Sequence, residues 1–219
     1  MSETDRKRVM GIVGSPRRGG NTEILVDEAL AGAEEAGALT EKVILSELEI
    51  GPCRGCDACG KTGTCVQQDD LPPLLEKMKN SQVWVLGTPV YYWGPTAQFK
   101  AFIDRWYGAD KGTTFKGKRV TLVIPLGSSD AHDARHTVGM LEDALAWQES
   151  ELFATVLATG VLERGVVRER PDLLAAARRA VERRSRRRVN RGGSKDGICT
   201  RSLSFATIWQ HGGDGRGRG

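Results

Sequence analysis

Residues 9–22 read Val-Met-Gly-Ile-Val-Gly-Ser-Pro-Arg-Arg-Gly-Gly-Asn-Thr, and no other stretch constrains the fold as tightly. Residues 9–13 are short, apolar and partly β-branched, and a Gly/Pro break follows them, which predicts a buried parallel strand. Residues 14–21 form a loop of small and polar types. The apolar pattern resumes behind Asn21 and Thr22, either of which can cap a helix start. A strand, a polar loop and a helix N-terminus in that order can hold a phosphate, because loop and first-turn N–H groups point at the anion and the helix dipole adds to them. Ser15 and Thr22 offer hydroxyls and Asn21 an amide, while Arg17 or Arg18 can close over the group with charge. The stretch is neither Gly-x-Gly-x-x-Gly nor a Walker A loop. The alternative is an ordinary strand-to-helix turn.

The rest of the chain repeats the alternation. Residues 21–36 read as a helix with Leu25, Ala29, Gly32, Ala33 and Ala36 on its apolar face, ended by Gly37. A second strand is predicted over 41–45. An irregular insertion over 48–68 carries four cysteines. A helix over 71–80 follows, with Asp69, Asp70, Pro72 and Pro73 at its start. Strands are predicted over 82–86, 119–124 and 152–157, and helices over 95–107, 136–148 and 171–183. Five short apolar strands alternating with helices imply an α/β fold with a parallel sheet covered on both faces. Ligands of such sheets sit outside the carboxyl ends of the strands. The loops at 14–21, 87–94 and 125–130 all fall on that edge.

Two of the remaining loops carry chemistry. The first reads Gly-Thr-Pro-Val-Tyr-Tyr-Trp-Gly over 87–94. Thr88 and Pro89 make a rigid turn, Gly87 and Gly94 allow close approach of a flat ligand, and Tyr91, Tyr92 and Trp93 offer ring faces. As core or interface filler they would do none of this. The second holds Cys53, Cys56, Cys59 and Cys65, spaced C-x2-C-x2-C-x5-C among Gly51, Gly55, Gly60 and Gly63. Two-residue spacing lets thiolates turn inward on one tight winding, as a [4Fe–4S] cluster requires. Zinc more often takes two separated C-x2-C knuckles, and free thiols are the bland alternative. His132, His136 and His211 sit in no ligand pattern, and Cys199 stands alone.

Charge is unevenly spread. Ten of the 32 Lys and Arg but two of the 28 Asp and Glu lie at or beyond Arg183. That segment therefore carries +8 against a total of +4, and the residues before it carry −4. The expected organisation is one domain over 1–183 and a basic, Gly/Arg-rich, disordered tail over 184–219, read as solvated in preference to binding nucleic acid. No secretory signal or bilayer-spanning run is read, so the expected location is cytoplasmic, where thiols stay reduced.

The residues Ser-Pro-Arg-x-x-Gly-Asn-Thr over 15–22, Thr88-Pro89-Val90-Tyr91, and Phe-Lys-x-Phe-Ile-Asp-Arg over 99–105 resemble those of the flavodoxin-like NAD(P)H-dependent FMN reductases, and the cysteine spacing is similar to that of the iron–sulfur flavoproteins among them. The resemblance covers about residues 8–183. It implies a doubly wound five-stranded sheet in the order 2-1-3-4-5. It implies FMN held through Ser15, Arg17, Gly20, Asn21 and Thr22 at the phosphate and through Thr88, Pro89, Val90, Tyr91, Tyr92, Trp93, Gly94 and Gly127 around the ring. It further implies NAD(P)H as co-substrate, a [4Fe–4S] cluster on Cys53, Cys56, Cys59 and Cys65, a small-molecule acceptor or redox protein as electron partner, and a homodimer or homotetramer. A cluster-free FMN, quinone or nitro-compound reductase is the alternative on the same fold. A non-catalytic electron carrier is the alternative of another class.

Overall fold

The computed structural model describes residues 6–109 and 114–182; the basic tail expected from 184 onward lies outside them. Strands β1 (Arg8–Val13), β2 (Leu39–Ile44), β3 (Val83–Gly87), β4 (Arg119–Pro125) and β5 (Glu151–Ala158) form one sheet in the order β2-β1-β3-β4-β5. Every neighbouring pair is parallel, with one irregularity of register at Val120 and Thr121. The α-helices lying wholly in the described residues are α1 (Asn21–Glu35), α2 (Ala58–Thr62), α3 (Leu71–Lys79), α4 (Ala97–Asp104), α5 (Arg135–Trp147) and α6 (Pro171–Glu182). This is the expected doubly wound, flavodoxin-like architecture. Among the described residues no helix is long and apolar enough to cross a membrane.

Alternation along the strands divides the core into two layers. Val9, Val13, Val85, Val123 and Val156 pack with Leu25, Val26, Ala29 and Ala33 of α1 and Ala177 of α6. Met10, Ile12, Trp84, Leu86, Leu122 and Ile124 pack on the other side with residues of α3, α4 and α5. Burial on both faces is why the strands read as unbroken apolar runs. Gly32 lets α1 and α6 touch: a Cβ there would stand 2.1 Å from the carbonyl oxygen of Arg178. Ala36, expected on the apolar face, is exposed, because α1 ends at Glu35 and Gly37 turns the chain at φ +86°.

Two helix starts differ from expectation. Gly20 is the N-cap of α1, and no side chain caps it, neither Asn21 nor Thr22. Helix α4 starts at Ala97, two residues later than predicted, because Thr96 supplies the cap by accepting from the N–H of Phe99. It tightens into a 3₁₀ turn at Arg105–Gly108, which carries Arg105 beneath the cysteine loop. Behind that turn Phe102 and Trp106 meet edge to face at 5.3 Å, as do Trp84 and Phe115 at 5.5 Å. Each such pair contributes about 0.5–1.5 kcal/mol beyond its buried area.

Candidate flavin site

Chain geometry at the end of β1 is fixed from three sides. The Gly14 N–H donates to the Gly87 carbonyl at 2.7 Å, and its own carbonyl accepts from the Thr96 hydroxyl. The buried Ser15 hydroxyl accepts from the Arg17 N–H at 3.2 Å, and the Gly20 N–H returns to the Arg17 carbonyl at 3.1 Å. The buried Glu23 carboxylate accepts from the Gly19 N–H at 2.7 Å and pairs with Lys42 at 3.0 Å. Burial opposes its ionisation, but the Gly19 N–H, Lys42 and Arg18 outweigh that and hold the carboxyl below its ordinary range. The loop is thus built before any ligand arrives.

What the loop leaves open is the start of α1. The first N–H groups of a helix have no partner within it, and no side chain among the described residues takes them. Thr22 is 2 % exposed, lines the cleft, and its hydroxyl makes no hydrogen bond among the described residues. Arg17 also lines the cleft without an acidic partner among those residues. Arg18 is engaged elsewhere, with Glu47 at 2.9 Å and Glu23 at 3.6 Å. Asn21 lines the cleft, but its amide is satisfied within the protein. Its Nδ2 donates to the carbonyls of Val161 at 2.9 Å and Glu163 at 2.8 Å, and its Oδ1 accepts from the Val167 N–H at 3.2 Å.

The loop after β3 supplies the opposite wall. Its backbone is anchored by the Thr88 N–H to Val123 at 3.1 Å and the Val90 N–H to Pro125 at 3.2 Å. Thr88 itself is fully buried, its hydroxyl donating to the Pro89 carbonyl and accepting from the Thr96 N–H. Tyr91 and Gly94 exchange two backbone hydrogen bonds at 2.8 and 3.0 Å, which closes a two-residue turn. Tyr92 and Trp93 occupy that turn at φ +48° and +62°, a conformation costly for bulky residues. Trp93 is held there by the Thr137 hydroxyl, 2.9 Å from its carbonyl.

The resulting cleft of about 330 Å³ lies at the carboxyl edge of the sheet. Of the residues expected from sequence it gathers Ser15, Arg17, Gly20, Asn21, Thr22, Pro89, Val90, Tyr91, Tyr92 and Gly127. Thr88, Trp93 and Gly94 do not line it; they hold the loop in shape. Sequence reasoning missed Pro125 and Leu126 beside Gly127, and missed Val161, Leu162 and Arg164 after β5. The position of β5 at the sheet's far edge hides the last three: the Val161 N–H bond to Leu126 and the grip of Asn21 on Val161, Glu163 and Val167 hold that loop beside α1. The uncapped helix end, the Thr22 hydroxyl and the free Arg17 fit a phosphate, and the flat wall of Pro89–Tyr92 fits an aromatic ring system.

The cysteine loop is a separate structure, and none of its four thiols lines this cleft. Cys53 and Cys56 are exposed, while Cys59 and Cys65 are half-buried. Both inner residues pack on Gly108, where a Cβ would stand 3.3 and 3.1 Å from their Cβ atoms, so those two lie no more than about 6.4 Å apart, the sum of the two. Arg105, 1 % exposed, clasps both stems of the loop: its guanidinium donates to Asp69, to the Gly51 carbonyl at 3.3 Å and to Cys65 Sγ at 3.4 Å. Burial opposes ionisation of the Cys65 thiol, but hydrogen bonds from Gln67 and Arg105 outweigh it and set the thiol below its ordinary pKa. Among the described residues no group of three or more His, Cys, Asp or Glu is placed to hold a metal ion. The donor chemistry suits iron, and the arrangement as folded does not: two thiols are brought together, not four. Sequence reading gives Arg105 a structural pairing at its helix end; the partners it finds are instead 36, 40 and 54 positions away.

Comparison with known proteins agrees with this fold. The family of NADPH-dependent FMN reductases matches over residues 7–162. An iron–sulfur flavoprotein of Methanocaldococcus jannaschii is 46% identical over 98 residues, 45% of this chain and 51% of that protein. One of Methanosarcina thermophila is 33% identical over 144 residues, 61% of this chain and 75% of that protein. The chain spans about half the length of the first of these relatives. The solved structure of an NAD(P)H:quinone oxidoreductase from Methanothermobacter marburgensis superimposes with a TM-score of 0.66 at 19% identity, over 81% of this chain and 96% of that one, which speaks to the fold. Fold, cleft and relatives together place this chain in the NADPH-dependent FMN reductase family.

Proposed function

We propose that the protein is an FMN-dependent oxidoreductase that takes its electrons from NAD(P)H. The observation that carries this reading is the cleft itself: an uncapped helix start with free Thr22 and Arg17 at one end, and a pre-built wall of Pro89, Val90, Tyr91 and Tyr92 at the other. Bound FMN would supply hydride chemistry between a nicotinamide and an acceptor. The chain's own contribution is binding and orientation. Ser15, Arg17, Gly20, Thr22 and the first-turn N–H groups of α1 hold the phosphate. Pro89–Tyr92 and Gly127 flank the ring and exclude water from its faces. Thr88, Thr96 and Asn21 keep the three loops in register.

The test is flavin content. Arg17→Ala with Thr22→Val removes the free charge and the free hydroxyl without touching the core packing of the loop. The double variant should purify with native circular dichroism and little FMN. A yellow protein with unchanged flavin content would move the site elsewhere. Oxidation of NADPH or NADH by the purified wild type separates a reductase from a non-catalytic electron carrier, which would hold flavin and show no turnover. The electron acceptor on this reading is a small molecule or a redox protein, and the assembly a homodimer or homotetramer.

A second reading concerns the cysteine loop. The C-x2-C-x2-C-x5-C spacing, the lowered pKa of Cys65 and the relatives named iron–sulfur flavoproteins favour a [4Fe–4S] cluster on Cys53, Cys56, Cys59 and Cys65. Binding would require Cys53 and Cys56 to fold inward onto the pair at Gly108. Iron and acid-labile sulfide in anaerobically purified protein, lost in each Cys→Ser variant while FMN stays, would support it. Protein with FMN but neither iron nor sulfide after reconstitution would favour the cluster-free reductase.

A further inference from the structure

Five arginines among the described residues are held by acids. Arg18 pairs with Glu47, Arg105 with Asp69, Arg119 with Glu151, Arg170 with Asp172, and Arg178 with Glu28 and Glu35. The cleft holds two that are not. Arg17 and Arg164 both line it, and neither makes an ion pair or side-chain hydrogen bond among the described residues. They come from opposite ends of the domain, one after β1 and one after β5. Arg164 lies over the phosphate loop: a Cβ on Gly19 would stand 3.6 Å from its Nη2. Its position is set by Asn21, whose amide grips the chain on both sides of it, at Val161 and Glu163 before and Val167 after. The Thr22 residue lines the same cleft, 2 % exposed, and its hydroxyl has no partner among the described residues.

Charge completes the case. A phosphate monoester carries roughly −1.5 to −2 at pH 7. The α1 N-terminus offers about half a positive charge, and Arg17 one more, which leaves the dianion short of a match. We infer that Arg164 is the second arginine for the FMN phosphate, with Asn21 as the positioning residue that swings its loop over α1; this rests on the flavin reading above. The β5 loop thereby closes the phosphate end of the cleft, and Arg164 distinguishes FMN from flavins that lack the phosphate.

The experiment is a fluorescence titration of apoprotein with FMN and, in parallel, with riboflavin. Arg164→Ala is safe for the fold, because the side chain is exposed. It should weaken FMN roughly tenfold or more, the worth of one charge-assisted contact to phosphate, and leave riboflavin within about twofold. Arg164→Lys should recover part of the loss, since an ammonium keeps the charge without the fork. Asn21→Ala should weaken FMN in the same way, and adding it to Arg164→Ala should cost little more, because both act through one contact. Equal weakening of FMN and riboflavin, additive losses in the double variant, or unchanged FMN affinity with a raised KM for NADPH would each overturn the assignment. Binding of neither flavin by the wild type would instead sink the flavin reading itself.

Discussion

Replacing Arg105 by Met tests whether one buried guanidinium holds the cysteine loop to the domain. Methionine keeps most of the apolar stem and removes the charge. The side chain of Arg105 has no exposed surface, and that of Asp69 is 14% exposed, so solvent compensates little for the lost pair. Removing one partner of a buried pair costs about 3–5 kcal/mol. Asp69 keeps two other donors, the N–H of Leu71 at 3.1 Å and of Gly51 at 3.2 Å, which argues for the lower end, about 3 kcal/mol. For a domain of this size that is a fall in Tm of about 6–12 °C. Urea unfolding at pH 7 reads the loss directly. Its pH dependence identifies the cause. Burial opposes ionisation of Asp69, but Arg105 and the two N–H groups hold its carboxyl below the ordinary range. A depressed folded pKa stabilises above the unfolded value, about 3.9, and that contribution fades as pH falls through the folded value. The gap between wild type and variant should therefore stay constant from about pH 7 to 5 and narrow below about pH 4. A loss under about 1 kcal/mol, or a gap that persists undiminished into acid, would refute the clasp.

Two further substitutions probe the frame of the cleft. Gly32→Ala places a methyl 2.1 Å from a backbone oxygen of α6, so the helices must part; overpacking of about 1–3 kcal/mol should exceed the gain of about 1 kcal/mol in helix propensity, and a raised Tm would contradict the contact. Tyr92 is 97% exposed at φ +48°, so Tyr92→Gly should relieve about 1 kcal/mol of backbone strain with no packing lost and raise the urea midpoint. A lowered midpoint would show that the tyrosine packs on the fold, and weaker FMN binding alongside the raised midpoint would tie the strained turn to the ligand.

What the chain's order of residues determined was set by local rules. Apolar runs such as Val9–Val13 bury on both sheet faces, so strands and their parallel pairing follow from pattern alone, and so does the edge on which Ser15, Arg17, Pro89, Tyr91 and Gly127 collect. Boundaries moved by one or two residues where a side chain decided them, as Thr96 did for α4. Tertiary structure decided the roles within the site. Asn21 reads in sequence as a cap or a phosphate ligand, and folded it ties the β5 loop to α1 across about 140 positions. Thr88, Trp93 and Gly94 read as cleft wall and serve as its support: Thr88 is bonded to Thr96, the Trp93 carbonyl to Thr137, and Gly94 closes the turn with Tyr91. The partners of Arg164 and Arg105 were hidden for a common physical reason: each acts on groups far along the chain. A guanidinium's meaning depends on whether an acid lies beside it, and only the packed molecule fixes that.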